Sequence, residues 1–194
     1  MIAAAKILLL GKDQLLCRSL TTVFKARGYM VMAGDAQNAP GVRLVRRLMP
    51  DLLVVEDELA GLGGFDFAAL FEDDPMPFIL LTKNLRPAMT NKARSRWWFG
   101  VLTLPVADEA LLVLADKLLS VGNDFSRLQK DLAKAQAAAD ERQICNLAKG
   151  MLMAAKGLRE DEAHRYLTQK SMNTGETMVK VAAGIVENGA AYEE

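Results

Sequence analysis

What most constrains this 194-residue chain is a set of five short apolar runs: Lys6–Leu10, Tyr29–Ala33, Leu52–Val55, Phe78–Leu81 and Gly100–Leu104. The central runs are continuous rather than alternating, the mark of strands covered on both faces. Helix-length segments separate them. Asp13–Arg27 carries Leu15, Leu16, Leu20, Val23 and Phe24 at helical spacing and stops at Gly28. Val42–Leu48 is shorter and ends at Pro50. Strand and helix in alternation predict an α/β fold, a doubly wound parallel five-stranded sheet with helices on both faces.

Beyond the last strand the pattern becomes purely helical. Asp108–Leu119 is a helix without a clear stop, and Leu118, Val121, Phe125, Leu128, Leu132, Ala135 and Ala139 recur at heptad positions through Gly122. Charged and Gln residues fill the gaps, so the seam predicts a dimeric coiled coil with parallel pairing as the simple choice, since no sheet is left to cover it; the alternative is one exposed helix packing on its own domain. From Gln143 the register changes: Ile144, Leu147, Ala148, Met151 and Leu152 form a new apolar face that ends at Gly157. Glu160–Ser171 is the next helix, with Ala163, Tyr166, Leu167 and Met172 inward, followed by an Asn173-Thr174-Gly175 turn. Thr177–Glu187 is the last, with Met178, Val181, Ala182 and Ile185 inward, and Ala190–Glu194 reads as a frayed end. The predicted plan is an α/β domain over 1–120, a long coiled-coil helix over 121–142 and a small three-helix module over 143–194.

Composition narrows the function classes. With 24 basic and 24 acidic residues there is no whole-chain positive field, so a nucleic-acid site would have to be local. Cys17 and Cys145 sit in apolar helical contexts and suit a reducing, cytoplasmic setting. His164 is the single histidine, and no Cys/His cluster has metal-ligand spacing, so neither metal nor cofactor is expected. The N-terminal apolar run meets Gly11-Lys12-Asp13 and reads as a strand rather than a signal peptide; no run is long enough for a membrane span. Gly61, Gly63 and Gly64 follow a strand but lack the Lys-Ser/Thr of a phosphate-binding loop, and no nucleophile–base pair is visible, so no enzyme is expected.

The strand order and the stretch Pro50-Asp51-Leu52-Leu53-Val54-Val55-Glu56, followed by Leu59-Ala60-Gly61-Leu62-Gly63-Gly64, resemble a response-regulator receiver domain of flavodoxin-like fold. The resemblance implies an acidic pair after the first strand, a phospho-accepting Asp after the third, a Ser/Thr after the fourth and a Lys before the Pro after the fifth. Carboxylates there hold Mg²⁺ and the Lys pairs with the acyl phosphate. Here Gly11 and Lys12 occupy the acidic positions, with Asp13 beside them; Glu56 stands at the acceptor, Thr82 is retained and Leu104 replaces the Lys. A Lys12 ammonium pairing with Glu56 would replace the metal–carboxylate arrangement, and strand alternation would turn Asp57 to the opposite face. Phosphorylation is not expected. The adjacent Trp97 and Trp98 lie where receivers meet partners, and two neighbouring Trp cannot both face inward on a regular element.

Residues 142–187 resemble the ANTAR domain of amide- and nitrate-operon antiterminators. The resemblance rests on Ala148-Lys149-Gly150-Met151-Leu152-Met153, then Gly157-Leu158-Arg159-Glu160-Asp161-Glu162-Ala163, Tyr166-Leu167, Ser171-Met172 and Val179-Lys180-Val181-Ala182. It implies binding of paired hairpins in a nascent leader RNA, which keeps a terminator hairpin from forming. In that role Lys149, Arg165, Lys170 and Lys180 are phosphate contacts, and Met172, Asn173 and Thr174 are candidates for meeting splayed loop bases. His164 and Tyr166 are candidates for stacking. One departure is that Asn173-Thr174-Gly175-Glu176 has no Arg, where many members have several.

The resulting expectation is a homodimeric, phosphorylation-independent RNA-binding antiterminator, silenced or released by a sensor protein that captures the Trp97/Trp98 face. Alternatives are a protein-only signalling adaptor and a DNA-binding response regulator, the latter disfavoured by the lack of a basic recognition-helix stripe.

Overall fold

A computed structural model describes residues 4–35, 40–58 and 63–189. Met1–Ala3, the Leu59–Leu62 part of the receiver-like signature and the Ala190–Glu194 end lie outside the described residues. The chain divides into two compact units, Met1–Ser126 and Arg127–Glu194.

The first unit holds β1 (Lys6–Gly11), α1 (Gln14–Ala26), β2 (Met30–Asp35), α2 (Pro40–Leu48), β3 (Leu52–Glu56), α3 (Gly64–Ala69), β4 (Phe78–Thr82), α4 (Pro87–Ser95), β5 (Phe99–Thr103) and the first part of α5 (Asp108–Lys156). The strands form one parallel sheet in the order β2-β1-β3-β4-β5. Because side chains alternate along each strand, the sheet feeds two cores. Leu8, Leu10, Leu53, Val55, Phe78 and Leu80 meet Val45 of α2, Phe67 of α3 and Met89 of α4 on one face. Ile7, Leu9, Leu52, Val54, Ile79 and Leu81 meet Leu20 and Phe24 of α1 and Leu111 and Ala115 of α5 on the other. Each expected strand is present, with no end more than two residues from its expected place.

The heptad-bearing helix does not stop or restart. α5 runs unbroken from Asp108 to Lys156, through Gly122 and through the predicted register change at Gln143. It ends at Gly157, whose φ of +66° is the left-handed conformation that closes helices.

The second unit packs the last turns of α5 with α6 (Glu160–Thr174) and α7 (Met178–Asn188) around Ala148, Leu152, Ala163, Leu167, Val181, Ala182 and Ile185. Glu162 accepts from the Arg159 backbone N–H at 2.8 Å, and Thr177 accepts from the Lys180 N–H at 3.4 Å, so α6 and α7 each start on a side-chain acceptor. Between them Gly175 takes φ +69°, and the Ser171 hydroxyl donates to the Glu176 carbonyl at 2.6 Å. Two residues assigned inward face outward: Leu147 is 51% exposed and Met172 78%. The core face of α5 in this unit is the 144/148/152 line, and Leu167 is the last residue of α6 in the core. Asn173 and Thr174 also differ from expectation, lying in the last turn of α6 rather than in a turn; Thr174 Oγ1 donates back to the Lys170 carbonyl at 2.9 Å.

Candidate functional site

The carboxyl ends of β1, β3, β4 and β5 bring Gly11, Lys12, Asp13, Glu56, Thr82 and Leu104 to one edge of the sheet, the place where open α/β sheets bind ligands. Glu56 ends β3, is 5% exposed, and its Oε2 accepts the backbone N–H groups of Lys12 at 2.8 Å and Asp13 at 3.0 Å. The Lys12–Glu56 ion pair anticipated from the sequence is therefore corrected: the main chain satisfies this carboxylate, and among the described residues the Lys12 ammonium makes no ion pair. Gly11 permits the close fit, since a Cβ there would lie 3.1 Å from Glu56 Oε2 and 2.9 Å from Cys17 Sγ.

Asp13 is also committed. Its Oδ1 accepts from Leu15 N at 2.9 Å and Leu16 N at 3.1 Å, capping α1. Asp57 departs from the alternation argument because β3 ends at Glu56, so strand geometry no longer directs it. Its Oδ2 lies 3.2 Å from Thr82 Oγ1 and 3.4 Å from Arg86 Nη2, and its Oδ1 accepts from Phe65 N at 3.2 Å. Leu104 is half-buried against the α1/α5 core, donates its N–H to the Thr82 carbonyl at 2.8 Å and precedes a cis peptide bond to Pro105. A cavity of about 60 Å³ separates Glu56, Asp57, Thr82 and Leu104. No group of three or more His, Cys, Asp or Glu side chains among the described residues is placed to hold a metal. One buried carboxylate on amides, one capping a helix and one paired with a guanidinium do not fit Mg²⁺.

Burial, then the charges of Glu56 and Asp13, push the Cys17 thiol above its ordinary value. Burial also raises Cys145, so both remain protonated thiols near neutrality.

The two Trp split. Trp98 is 2% exposed, edge-on to Phe78 and Phe99 in the core, which corrects its assignment to a partner face. Trp97 is half-buried, its ring 4.6 Å from that of Phe125. Phe125 is therefore covered within its own unit, and Val121 lines the same groove as Trp97, so the two upstream seam positions are not free for a coil. Leu128 and Leu132 are 63% and 60% exposed, and Ala135 and Ala139 are exposed. Sequence reasoning missed Lys92, whose ammonium bonds Glu72 at 2.9 Å and lies over Phe65, Trp98 and Phe99 at 5.2, 5.3 and 5.5 Å. A lone Lys in a polar helix gives no signal of such a cage.

In the second unit the anticipated phosphate contacts are engaged. Lys149 bonds Glu160 at 2.9 Å and holds its carboxyl below the usual range; Arg165 bonds Asp161 at 2.6 Å; Lys180 bonds Glu176 at 2.6 Å. Lys149 is thus a clasp between α5 and α6 as much as a surface cation. Lys170 is half-buried, while Met172, Asn173 and Thr174 are exposed together at the end of α6. His164 is exposed, and Tyr166 is half-buried under the Lys156 ammonium, 4.8 Å above its ring. Gly150 of the ANTAR-like stretch has open space where a Cβ would be.

Residues 133–186 match the ANTAR domain family model. Over 189 residues the chain is 24% identical to the transcriptional regulatory protein PdtaR of Mycobacterium tuberculosis, covering 95% of this chain and 91% of that one. Over 110 residues it is 24% identical to the aliphatic amidase regulator of Pseudomonas aeruginosa, covering 57% of this chain and 56% of that protein. Among solved structures, the chemotaxis protein CheY4 of Vibrio cholerae matches with a TM-score of 0.52 at 20% identity, over 60% of this chain and 99% of that one. The chain thus has a C-terminal segment that matches the ANTAR domain family, behind an α/β domain of receiver-like fold.

Proposed function

We propose that this protein is a cytoplasmic RNA-binding transcription antiterminator that works as a dimer, without phosphorylation, under the control of a partner sensor protein. The observation that carries this reading is the ANTAR match over 133–186, coinciding with a three-helix unit that has its own core. The full-length similarity to a transcriptional regulator and the likeness to an amidase regulator support it. The exposed Leu128, Leu132, Ala135 and Ala139 supply a seam for a second copy, and a dimer would raise the local concentration of the second module once the first has bound a hairpin. Met172, Asn173 and Thr174 offer an apolar and polar tip for unpaired loop bases. Among the described residues no group of three or more acidic side chains is placed to hold a divalent metal, which supports control by protein contact rather than by phosphoryl transfer.

One observation favours a second reading, a protein-only adaptor: Lys149, Arg165 and Lys180 are already paired with acids. The discriminating experiment titrates the protein with a two-hairpin leader RNA, a single hairpin and a duplex DNA of equal length at two salt concentrations. Preference for the two-hairpin RNA supports the antiterminator. Equal and steeply salt-dependent binding to all three means charge attraction only. Absence of binding moves the adaptor to first place, and preference for the duplex sinks both.

A further inference from the structure

A second cavity opens between α1 and the carboxyl ends of β1 and β2, with a volume of about 290 Å³. That is near the low end of the range for small-molecule sites, roughly 300–1,000 Å³. The two cavities at this end of the sheet differ in charge. The smaller is lined by Glu56, Asp57 and Glu58, and its one cation, Lys83, pairs with Glu58 at 3.3 Å. The larger is lined by Lys12 and Arg18, and among the described residues by no Asp or Glu. Helical spacing sets Gln14, Cys17, Arg18 and Thr21 on one face of α1, at i, i+3, i+4 and i+7. Across from them β2 offers Ala33 and Gly34, two residues too small to fill the space. Gly11 completes the wall: a Cβ there would lie 2.9 Å from Cys17 Sγ, so the thiol sits against the main chain of β1.

Among the described residues the Lys12 and Arg18 side chains make no ion pair and no hydrogen bond. The two acids nearest Lys12 are committed elsewhere. Glu56 accepts the backbone N–H groups of Lys12 and Asp13, and Asp13 caps α1. Thr21 Oγ1 donates to the Cys17 carbonyl at 2.7 Å, so its oxygen keeps lone pairs to accept a donor on a ligand. Two charges of one sign in a cleft focus a positive potential. An Arg guanidinium recognises carboxylate and phosphate groups through paired N–H donors, and Lys adds a point charge. A metal cation would be repelled by both, and a helix or a nucleic-acid strand does not fit a space of this size. We propose that this cleft binds a compact organic dianion, a phosphomonoester or a short dicarboxylate, with its charge on Lys12 and Arg18 and its body between Ala33 and Cys17. The site lies apart from the degenerate phosphoacceptor pocket and does not depend on the RNA-binding reading.

The test uses the full-length protein with Cys145→Ser, which leaves Cys17 as its one thiol. The probes are succinate and inorganic phosphate, with acetate and the uncharged succinamide as controls at the same ionic strength. Binding is read by calorimetry and by the rate at which neutral iodoacetamide alkylates Cys17. At saturation succinate, phosphate or both slow the alkylation by at least about fivefold, because a ligand in the cleft covers the thiol. Adding Lys12→Gln and Arg18→Gln weakens binding by at least about tenfold with the unfolding temperature unchanged. Protection by succinate alone assigns a dicarboxylate, and protection by phosphate alone a phosphomonoester. No heat and no protection with either probe overturns the proposal. So does equal protection by acetate or succinamide, or binding that survives loss of both cations. Heat without protection of Cys17 also overturns it, by placing the anion elsewhere. No RNA is present, so a failed hairpin titration leaves this result standing.

Discussion

Replacing Glu56 tests how the degenerate pocket is held together. Its Oε2 satisfies two backbone N–H groups, at 2.8 and 3.0 Å, in a position 5% exposed. In Glu56→Ala both amides lose a charged acceptor. Each stranded donor costs about 1–3 kcal/mol, with the lower end applying where water follows the deleted side chain into the site. The sum is about 2–4 kcal/mol, which for a domain of this size lowers the unfolding temperature by on the order of 10 °C. Glu56→Gln keeps an acceptor oxygen and the shape but loses the charge, and costs about 1 kcal/mol. Lys12→Ala is the control that separates the two accounts of the pocket. Its backbone N–H remains and only the ammonium goes, so it stays within about 0.5 kcal/mol of wild type. Thermal unfolding followed through the buried Trp98 reads all three. If Lys12→Ala is as destabilising as Glu56→Ala, the ammonium rather than the main chain holds the carboxylate, and the reasoning is wrong.

Four further outcomes are expected. Acetyl phosphate with Mg²⁺ leaves the intact protein's mass unchanged, and Glu56→Asp does not restore labelling, because Gly11, Lys12 and Leu104 remain; a phosphorylated species in either would refute this. Leu128→Asp with Leu132→Asp converts dimer to monomer in sedimentation and weakens two-hairpin RNA binding by on the order of a hundredfold, single-hairpin binding little. Cys17 alkylates more slowly at pH 8 than a free thiol, because its raised pKa leaves less thiolate, and Glu56→Gln speeds it by removing one of the charges that raise it. Glu160, held below its ordinary 4.5 first by its hydrogen bond from Lys149 and then by that charge, titrates closer to 4.5 in Lys149→Ala; since its folded value is depressed, the clasp is present above 4.5 and is lost as pH falls through the folded value, which NMR titration of the carboxyl reads.

The sheet was legible because its signal is redundant: five apolar runs, each bounded by breakers, leave one economical arrangement, and their alternation sorts Leu8 and Leu10 from Ile7 and Leu9 without knowledge of the neighbours. Helix continuity is legible through Gly122, where the apolar heptad positions carry on, but not at Gln143, where the change of apolar face looks like an interruption; yet one unbroken helix can carry different stripes along its length. Ile144, Ala148 and Leu152 turn inward while Leu147 stays out. The pocket was half legible. The identities of the pocket residues are plain in the sequence, but a side chain's charge need not find another side chain's charge. Glu56 and Asp13 instead took backbone amides, which every sequence contains and none advertises. Trp98 departs from its partner-face assignment for a similar reason: adjacent residues at a loop-to-strand junction need not alternate, and only packing against Phe78 decides which ring goes in.

The basic residues of the second unit show where counting charges fails. Lys149, Arg165 and Lys180 each lean on an acid within their own unit. Pairs with a solvent-exposed acid contribute little, so an RNA phosphate can displace the carboxylate. The exchange changes the salt response, however. A free cation releases condensed counterions from RNA on binding, whereas a paired one trades one anion for another and leaves a carboxylate to be neutralised. The salt slope of hairpin binding should then fall short of the roughly −0.7 per contact of single-stranded sites. Neutralising Asp161 or Glu176 should steepen the salt slope and raise affinity together. Specific recognition would lie with the tip formed by Met172, Asn173 and Thr174, where affinity depends on loop shape and stacking rather than on net charge.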